Sequence, residues 1–277
     1  MTPSRYVDLS YADVAIAAAL IVFDGALSVW LKLGLVRTLA VASVRTVVQL
    51  LAIGFVLSWV FGHPQWPIAV AVMITMTVIA GWSASGRGAR TYRGLRIDAL
   101  AAIGLSGWAV ATIGLVVVIG VRPWYTPQYA IPILGMILGN SLSAVSLGLE
   151  RMTEELTARR AQVETLLALG ATRREAALAS ARIAVRAGMM PTLNQMTVVG
   201  LVSLPGMMTG QVLAGQHPEQ AVRYQIVIMF LLAAASAGAT VLAVVFASAR
   251  LFTSDHRFVA SRLVERSRAA SLRADRR

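Results

Sequence analysis

The sequence predicts an all-α polytopic membrane protein. Seven transmembrane helices carry the N-terminus outside and the C-terminus inside, and a helix–break–helix segment lies on the cytoplasmic side. Three observations lead there. The 277 residues are 57% hydrophobic and 14% charged, whereas water-soluble domains are nearer half apolar and a quarter charged. Seven apolar stretches approach or exceed the roughly 20 residues that cross a hydrocarbon core. The basic residues fall almost wholly on alternate sides of those stretches. Residues 1–250 then form one transmembrane domain and residues 251–277 a basic cytoplasmic tail.

The first span, 12–31, has Asp8 and Asp13 before it and Lys32 and Arg37 after it. A signal peptide has the reverse flank, so this run is retained as a helix. The others are 38–61, 66–84, 98–120, 129–149, 190–214 and 221–249. The third is the shortest, and Trp66 and Trp82 near its ends suit the two interfaces. Alternating the gaps outside and inside places 21 of the 25 basic residues on the inner side. They lie at 32–37, 87–96 and 151–186 and from Arg250 onward. Arg5, Arg122 and Arg223 lie outside and Arg45 within a span. Excess Lys and Arg marks cytoplasmic loops, which sets the orientation. The net charge of +12 is therefore an orientation signal directed at membrane lipid, and no nucleic-acid partner is implied. With no cysteine in the chain, disulfides, thiolate ligands and thiol catalysis are excluded.

Residues 150–189 are the most informative. Glu, Leu, Ala and Arg favour helix over 150–169, with Val163, Leu166 and Leu167 forming an apolar stripe. Gly170 is a natural left-handed stop. Thr172-Arg173-Arg174-Glu175 reads as a capping box that starts a second helix. Such an elbow could rest on anionic lipid or dock a protein. Two well-specified ends favour docking, because a passive lipid-facing linker needs neither.

Within the spans, Asp24 and Arg45 each lie eight residues from an inner basic anchor. Equal depth predicts an ion pair between the first two helices, with Gln49 one turn from Arg45. Gly135/Gly139 and Gly206/Gly210 have small-x-x-x-small spacing that suits close helix packing. Pro205-Gly206 should kink the sixth span and free carbonyls near Ser203 and Leu204. Ser203, Pro205, Gly206, Met207, Met208 and Thr209, with Asn140, Ser141 and Asn194, are the candidate transport path or gate. For the serines and asparagines, interhelical hydrogen bonding is the plainer use, and for the methionines, packing. His63, His217 and His256 are scattered, so the residues name no metal site. The tail is expected to form a short amphipathic helix on the inner leaflet.

The order Glu164…Gly170…Pro191 is similar to the E-A-A-x-x-x-G cytoplasmic loop of ABC-transporter permeases, with Thr165 and Leu166 in place of the paired alanines. Three further stretches extend the likeness: Ile131-Pro-Ile-Leu-Gly-Met-Ile-Leu-Gly-Asn-Ser141, Leu166-Leu-Ala-Leu-Gly-Ala-Thr172 and Val199-Gly-Leu-Val-Ser-Leu-Pro-Gly-Met-Met-Thr-Gly-Gln211. With Ala221-Val-Arg-Tyr-Gln-Ile226 they resemble the FetB family of iron-export permeases, whose plant relatives are implicated in aluminium tolerance. The resemblance implies a permease subunit in the bacterial cytoplasmic membrane, a homodimer driven by a separate ATP-binding cassette subunit. ATP and magnesium would be bound by that partner, with no cofactor in this chain. Glu164, Leu167, Gly170, Ala171, Thr172, Arg173, Arg174 and Glu175 would form its coupling contact, and iron or another metal its exported cargo.

The residues agree on one point. Leu33 follows the single lysine, Lys32, so no G-x-x-x-x-G-K-[ST] phosphate loop exists here, and the chain is expected to be no enzyme. A non-catalytic membrane scaffold and an intramembrane lipid-modifying enzyme are the alternatives. The latter needs a cluster of catalytic His, Asp or Glu that the sequence does not display.

Overall fold

A computed structural model describes residues 10–63 and 65–265. Asp8, Arg5 and the tail arginines 266, 268, 273, 276 and 277 lie outside the described residues. Among the described residues there are nine α-helices: α1 (Tyr11–Trp30), α2 (Val36–Gly62), α3 (Trp66–Ser85), α4 (Leu95–Thr112), α5 (Pro127–Ala158), α6 (Arg160–Ala168), α7 (Arg173–Val198), α8 (Gly206–Leu213) and α9 (Pro218–Leu251). A π-helical stretch, Ile113–Ile119, prolongs α4. Two short strands, β1 (Arg90–Thr91) and β2 (Val264–Glu265), pair antiparallel.

Six of these helices are long and apolar enough to cross a membrane: α1, α2, α3, α4 with its π-helical extension, α5 and α9. They match six of the seven expected spans. The expected sixth span, 190–214, is instead divided. α7 begins in the polar elbow and runs on through Pro191 to Val198, residues 199–205 are not helical, and α8 follows. The expected kink at Pro205 is thus a full interruption that starts at Val199. Gly200 adopts φ +83°, which glycine alone takes without strain. The Val198 carbonyl at the end of α7 stays occupied, accepting from the N–H of Val202, its i+4 partner, at 3.0 Å and from those of Leu201 and Ser203 at 3.3 Å. Pro205, which has no N–H to offer, sits at the N-cap of α8.

The core lies among α3, α4, α5, α7 and α9. One of its tight points is a crossing of three helices. An added Cβ at Gly188 on α7 would lie 2.6 Å from the Ala144 carbonyl oxygen and 2.7 Å from Thr240 Cγ2. One at Gly148 on α5 would lie 2.6 Å from Thr240 Cγ2 and 3.5 Å from the Ala184 carbonyl oxygen. So α5 and α7 run antiparallel through Ala144/Gly148 and Ala184/Gly188, four residues apart on each helix, with Thr240 of α9 between them. Small residues at this spacing let backbones approach. The sites expected from sequence behave otherwise: Gly139, Gly206 and Gly210 face open space, and Gly135 meets only Met76.

Helix length then positions the elbow. At 1.5 Å per residue, α5 and α7 extend for roughly 48 and 39 Å against a hydrocarbon core of about 30 Å. The excess carries α6 and the turn 169–172 beyond the packed bundle.

Replacing Gly188 with Ala should destabilise the protein by about 1–3 kcal/mol, since a methyl group must displace backbone. Gly139→Ala, facing open space, should be neutral or slightly stabilising. Thermal unfolding of the two variants in the same detergent compares them.

Candidate functional site: the elbow and its clasp

The helix stop expected at Gly170 is present in full. Gly170 takes φ +92°. Its N–H donates to the Leu167 carbonyl at 3.1 Å, and the Ala171 N–H donates to the Leu166 carbonyl at 3.0 Å. These paired bonds close the end of α6 and satisfy two of its last carbonyls. The capping box is equally complete. The Thr172 N–H and hydroxyl both donate to Glu175 Oε2 at 2.8 Å, and the Glu175 N–H returns a bond to Thr172 Oγ1 at 3.4 Å. These hydrogen bonds, the backbone one foremost, hold the exposed Glu175 carboxyl below its ordinary pKa.

The helix end near Leu169 and the start at Arg173 stand as expected, but the first helix is not continuous. The stretch 150–169 is divided at Arg159, where α5 ends and α6 turns away. Arg151 and Arg159 both pair with Glu155, at 2.9 and 2.8 Å, and hold the end of α5 on either side of the bend. Of the stripe, Val163 is buried and Leu167 half-buried against the core. Glu164 is exposed and paired with Arg160 at 2.7 Å. Gly170, Thr172, Arg174 and Glu175 are exposed at the turn, and Ala171 and Arg173 are half-buried. The residue that projects furthest was not singled out from sequence: Leu169, the C-cap of α6, is 79% exposed. Its place in a leucine-rich run concealed it, since only the α6 register turns Leu167 inward and Leu169 outward.

A second element missed from sequence holds the elbow from behind. The expected tail helix does not form over the described residues. After α9 the chain folds back, with Phe252 against Phe258 (ring centroids 5.2 Å apart), a 3₁₀ turn at Ala260–Arg262, and β2 on β1. At the bend, His256 Nδ1 accepts a hydrogen bond from the Arg173 N–H at 3.0 Å. It thereby satisfies one of the first-turn N–H groups of α7 that no intrahelical carbonyl can reach. The loop after α3, the elbow and the tail so meet on one face of the bundle. Beside them a crevice of about 590 Å³ is lined by Arg90, Thr157, Arg160, Phe258, Leu263 and Glu265 among others.

The same face contains a charge cluster around the buried Asp98. Arg250 Nε, at the end of α9, donates to both carboxylate oxygens of Asp98 at 2.7 Å, and the Tyr92 hydroxyl donates to Asp98 Oδ2 at 3.1 Å. Burial, with the Asp98 charge beside it, pushes the Tyr92 pKa up and keeps its hydroxyl protonated. A guanidinium of Arg262 donates to the Arg250 carbonyl. Gly94, at φ +99°, leaves the space that the Arg250 guanidinium fills. The depth argument applied to Asp24 and Arg45 would have found this pair, since Asp98 and Arg250 stand at matching ends of two spans.

For Asp24 and Arg45 themselves the expectation of a pair within the chain is corrected. Both are exposed, and neither takes part in an ion pair or hydrogen bond among the described residues. α1 and α2 pack on each other but do not turn these two side chains together.

The candidate path residues are dispersed. Ser203 and Gly206 are exposed in and after the interruption, and Pro205, Met207, Met208 and Thr209 are half-buried. The Thr209 hydroxyl donates to the Pro205 carbonyl at 3.1 Å, and Met207 packs on the core. Asn194 is exposed on α7. On α5, Asn140 Nδ2 donates to the Met136 carbonyl at 3.0 Å, and Ser141 is fully buried with its hydroxyl unpartnered. α8 packs against α9, so the structure does not gather Asn140 and Ser141 with 203–209 into one site. Among the described residues no three His, Asp or Glu side chains lie close enough to hold a metal ion.

Two predictions follow from the inner face. The Glu175 carboxyl is depressed in the folded state, so its contribution is present above the unfolded-state pKa and fades as pH falls through the lower folded value. Thr172→Ala should raise that pKa only part of the way to the ordinary range, since the backbone N–H bond that contributes most stays in place, read by carboxyl-carbon NMR titration, and should speed amide exchange at 173–175. Asp98→Asn should lower stability by about 2 kcal/mol, the scale of a hydrogen bond to a charged group. It should also make residues 252–265 sensitive to added protease while α5 stays resistant.

With this geometry in view, comparison with known proteins is informative. Residues 11–252 match the family described as Uncharacterised protein family (UPF0014). A UPF0014 membrane protein of Synechocystis, slr1647, is 40% identical over 232 residues, covering 82% of this chain and 87% of the relative. The Escherichia coli protein named "Probable iron export permease protein FetB" is 29% identical over 261 residues, 92% of this chain and 97% of its own. The Arabidopsis thaliana protein ALUMINUM SENSITIVE 3 is 35% identical over 192 residues, 69% of each chain. No solved structure matches significantly.

Proposed function

The chain belongs to the UPF0014 family of membrane proteins, and from that premise we propose that it is the permease subunit of an ABC transporter that exports iron or another metal. The seven-crossing arrangement, N-terminus out and C-terminus in, is part of this reading, with α7, the interruption and α8 together making the sixth crossing. The loop after α3, the elbow and the tail then lie on the cytoplasmic side with most of the chain's arginines.

The observation that carries the proposal is the elbow. It is a short helix and a sharply capped turn, held at the end of two helices that continue into the bundle. Leu169 is its exposed apolar tip, flanked by Thr172, Arg174 and Glu175. A groove on an ATP-binding subunit would take the leucine and pair with the surrounding charges, the usual division between a buried apolar anchor and a polar rim. Closure of the ATPase pair would push α6. Because α5 and α7 are joined at Gly148 and Gly188, the displacement would pass to the membrane helices as a rigid-body motion. ATP and magnesium belong to the partner, and two copies of this chain complete the path. The metal cargo is carried over from the name of the E. coli relative.

The test is co-purification of the tagged full-length protein with an ATP-binding cassette subunit from its own membranes. Wild type should retain the subunit, while Leu169→Asp and removal of 164–175 should lose it. In liposomes, iron efflux should require both the subunit and ATP. Metal transport by the purified chain alone would contradict the reading.

A further inference from the structure

The α1–α2 hairpin is unlike the remainder of the bundle. Its two helices pack on one another, and α2 touches α5 over a short stretch. Among the described residues of both helices only Ser28 and Val60 are buried. An apolar surface of that kind suits lipid, but this one carries Asp24 and Arg45, exposed and without partners. Lipid chains offer no counter-charge at that depth, so ionisable groups within spans pair with one another or face protein.

The two charges stand at nearly one level. Asp24 is six residues from the end of α1 and Arg45 nine residues into α2, about 9 and 14 Å from the connecting loop at 1.5 Å per residue. The long arginine side chain spans that difference. The face therefore holds one acid and one base at a common depth and is complementary to itself. A two-fold axis along the membrane normal preserves depth and sets each acid against the base of the other copy, in a contact that closes at two subunits.

We propose that the α1–α2 hairpin is the contact face between two copies of this chain, with Asp24 of each copy paired to Arg45 of the other. Gln49, exposed one turn from Arg45, extends the polar seam. The inference names the surface of the dimer in the reading above, but it does not depend on the ATPase.

The experiment uses the full-length chain in lipid nanodiscs, in two differently tagged forms and without any ATP-binding subunit. Failure here would leave the ATPase reading untouched. Asp24→Arg and Arg45→Asp should each weaken self-association about tenfold or more, because like charges then meet. The double variant should restore it. When the two single variants are co-expressed, each should co-purify with the other better than with itself, because only the mixed pair satisfies all four charges. Monomeric wild type, or single reversals that associate as well as wild type, would overturn the proposal. So would rescue by the double variant without preference in the mixture, which would place the pair inside one copy. If the reversal variants fail to accumulate, Leu20→Cys in one copy and Gln49→Cys in the other leave both charges intact. The chain has no other cysteine, so an oxidative cross-link between the two tags supports the contact and its absence contradicts it.

Discussion

The crossing of α5, α7 and α9 at Gly148, Gly188 and Thr240 is the constraint on which the rest of the structure depends. Here the backbones of α5 and α7 approach closely with the Thr240 side chain of α9 between them, so that a methyl group at either glycine must displace a neighbour. A contact of this kind resists sliding, because each helix sits in a notch of its neighbours. It turns α5 and α7 from two long helices into one lever. The elbow at one end moves only if the bundle at the other end moves too.

The face that holds the elbow adds a second level of restraint. Residues 252–265 are a clasp that ties β1, the end of α9 and the start of α7 into one layer. Asp98 and Arg250 anchor it, and the His256 bond to the Arg173 N–H brings it directly to the elbow. The turn 169–172 is therefore supported from both sides, by α6 folding back on α7 and by the tail. Its outward surface stays free for a partner. On the opposite end of α7 the interruption at 199–205 breaks the lever, leaving Leu201 and Val202 88% and 84% exposed. Irregular backbone at membrane depth is tolerated only against protein or a water-filled cavity. In the reading proposed above, this segment is where rigid motion passed on from the elbow becomes a change of shape.

Much of this was legible in the sequence, and what was legible shares a cause. Six long apolar helices, the stop at Gly170 and the capping box at Thr172 depend on neighbours within a few residues, and the local pattern states them. The rest depends on contacts between distant residues. His256 and Arg173 are 83 positions apart and Asp98 and Arg250 152. No local period announces them. The composition of the tail permits an amphipathic helix, whereas pairing with Arg90 and Thr91 draws Val264 and Glu265 into a strand. Small-residue spacing was recognised as a signal but assigned to Gly135/Gly139 and Gly206/Gly210. The same spacing at Ala144/Gly148 and Ala184/Gly188 is the one the packing uses. Spacing alone does not say which face meets another helix.

The central claim is that the elbow stands in water on the inner face and receives a protein there. A nitroxide label at a single cysteine replacing Leu169, in a chain otherwise free of cysteine, tests it directly in a lipid bilayer. The account predicts that a water-soluble nickel chelate relaxes the label strongly and oxygen weakly, and that adding the ATP-binding subunit removes the nickel effect and slows the label's motion. Strong relaxation by oxygen, little by nickel and no response to the subunit would place the elbow in lipid and contradict the account.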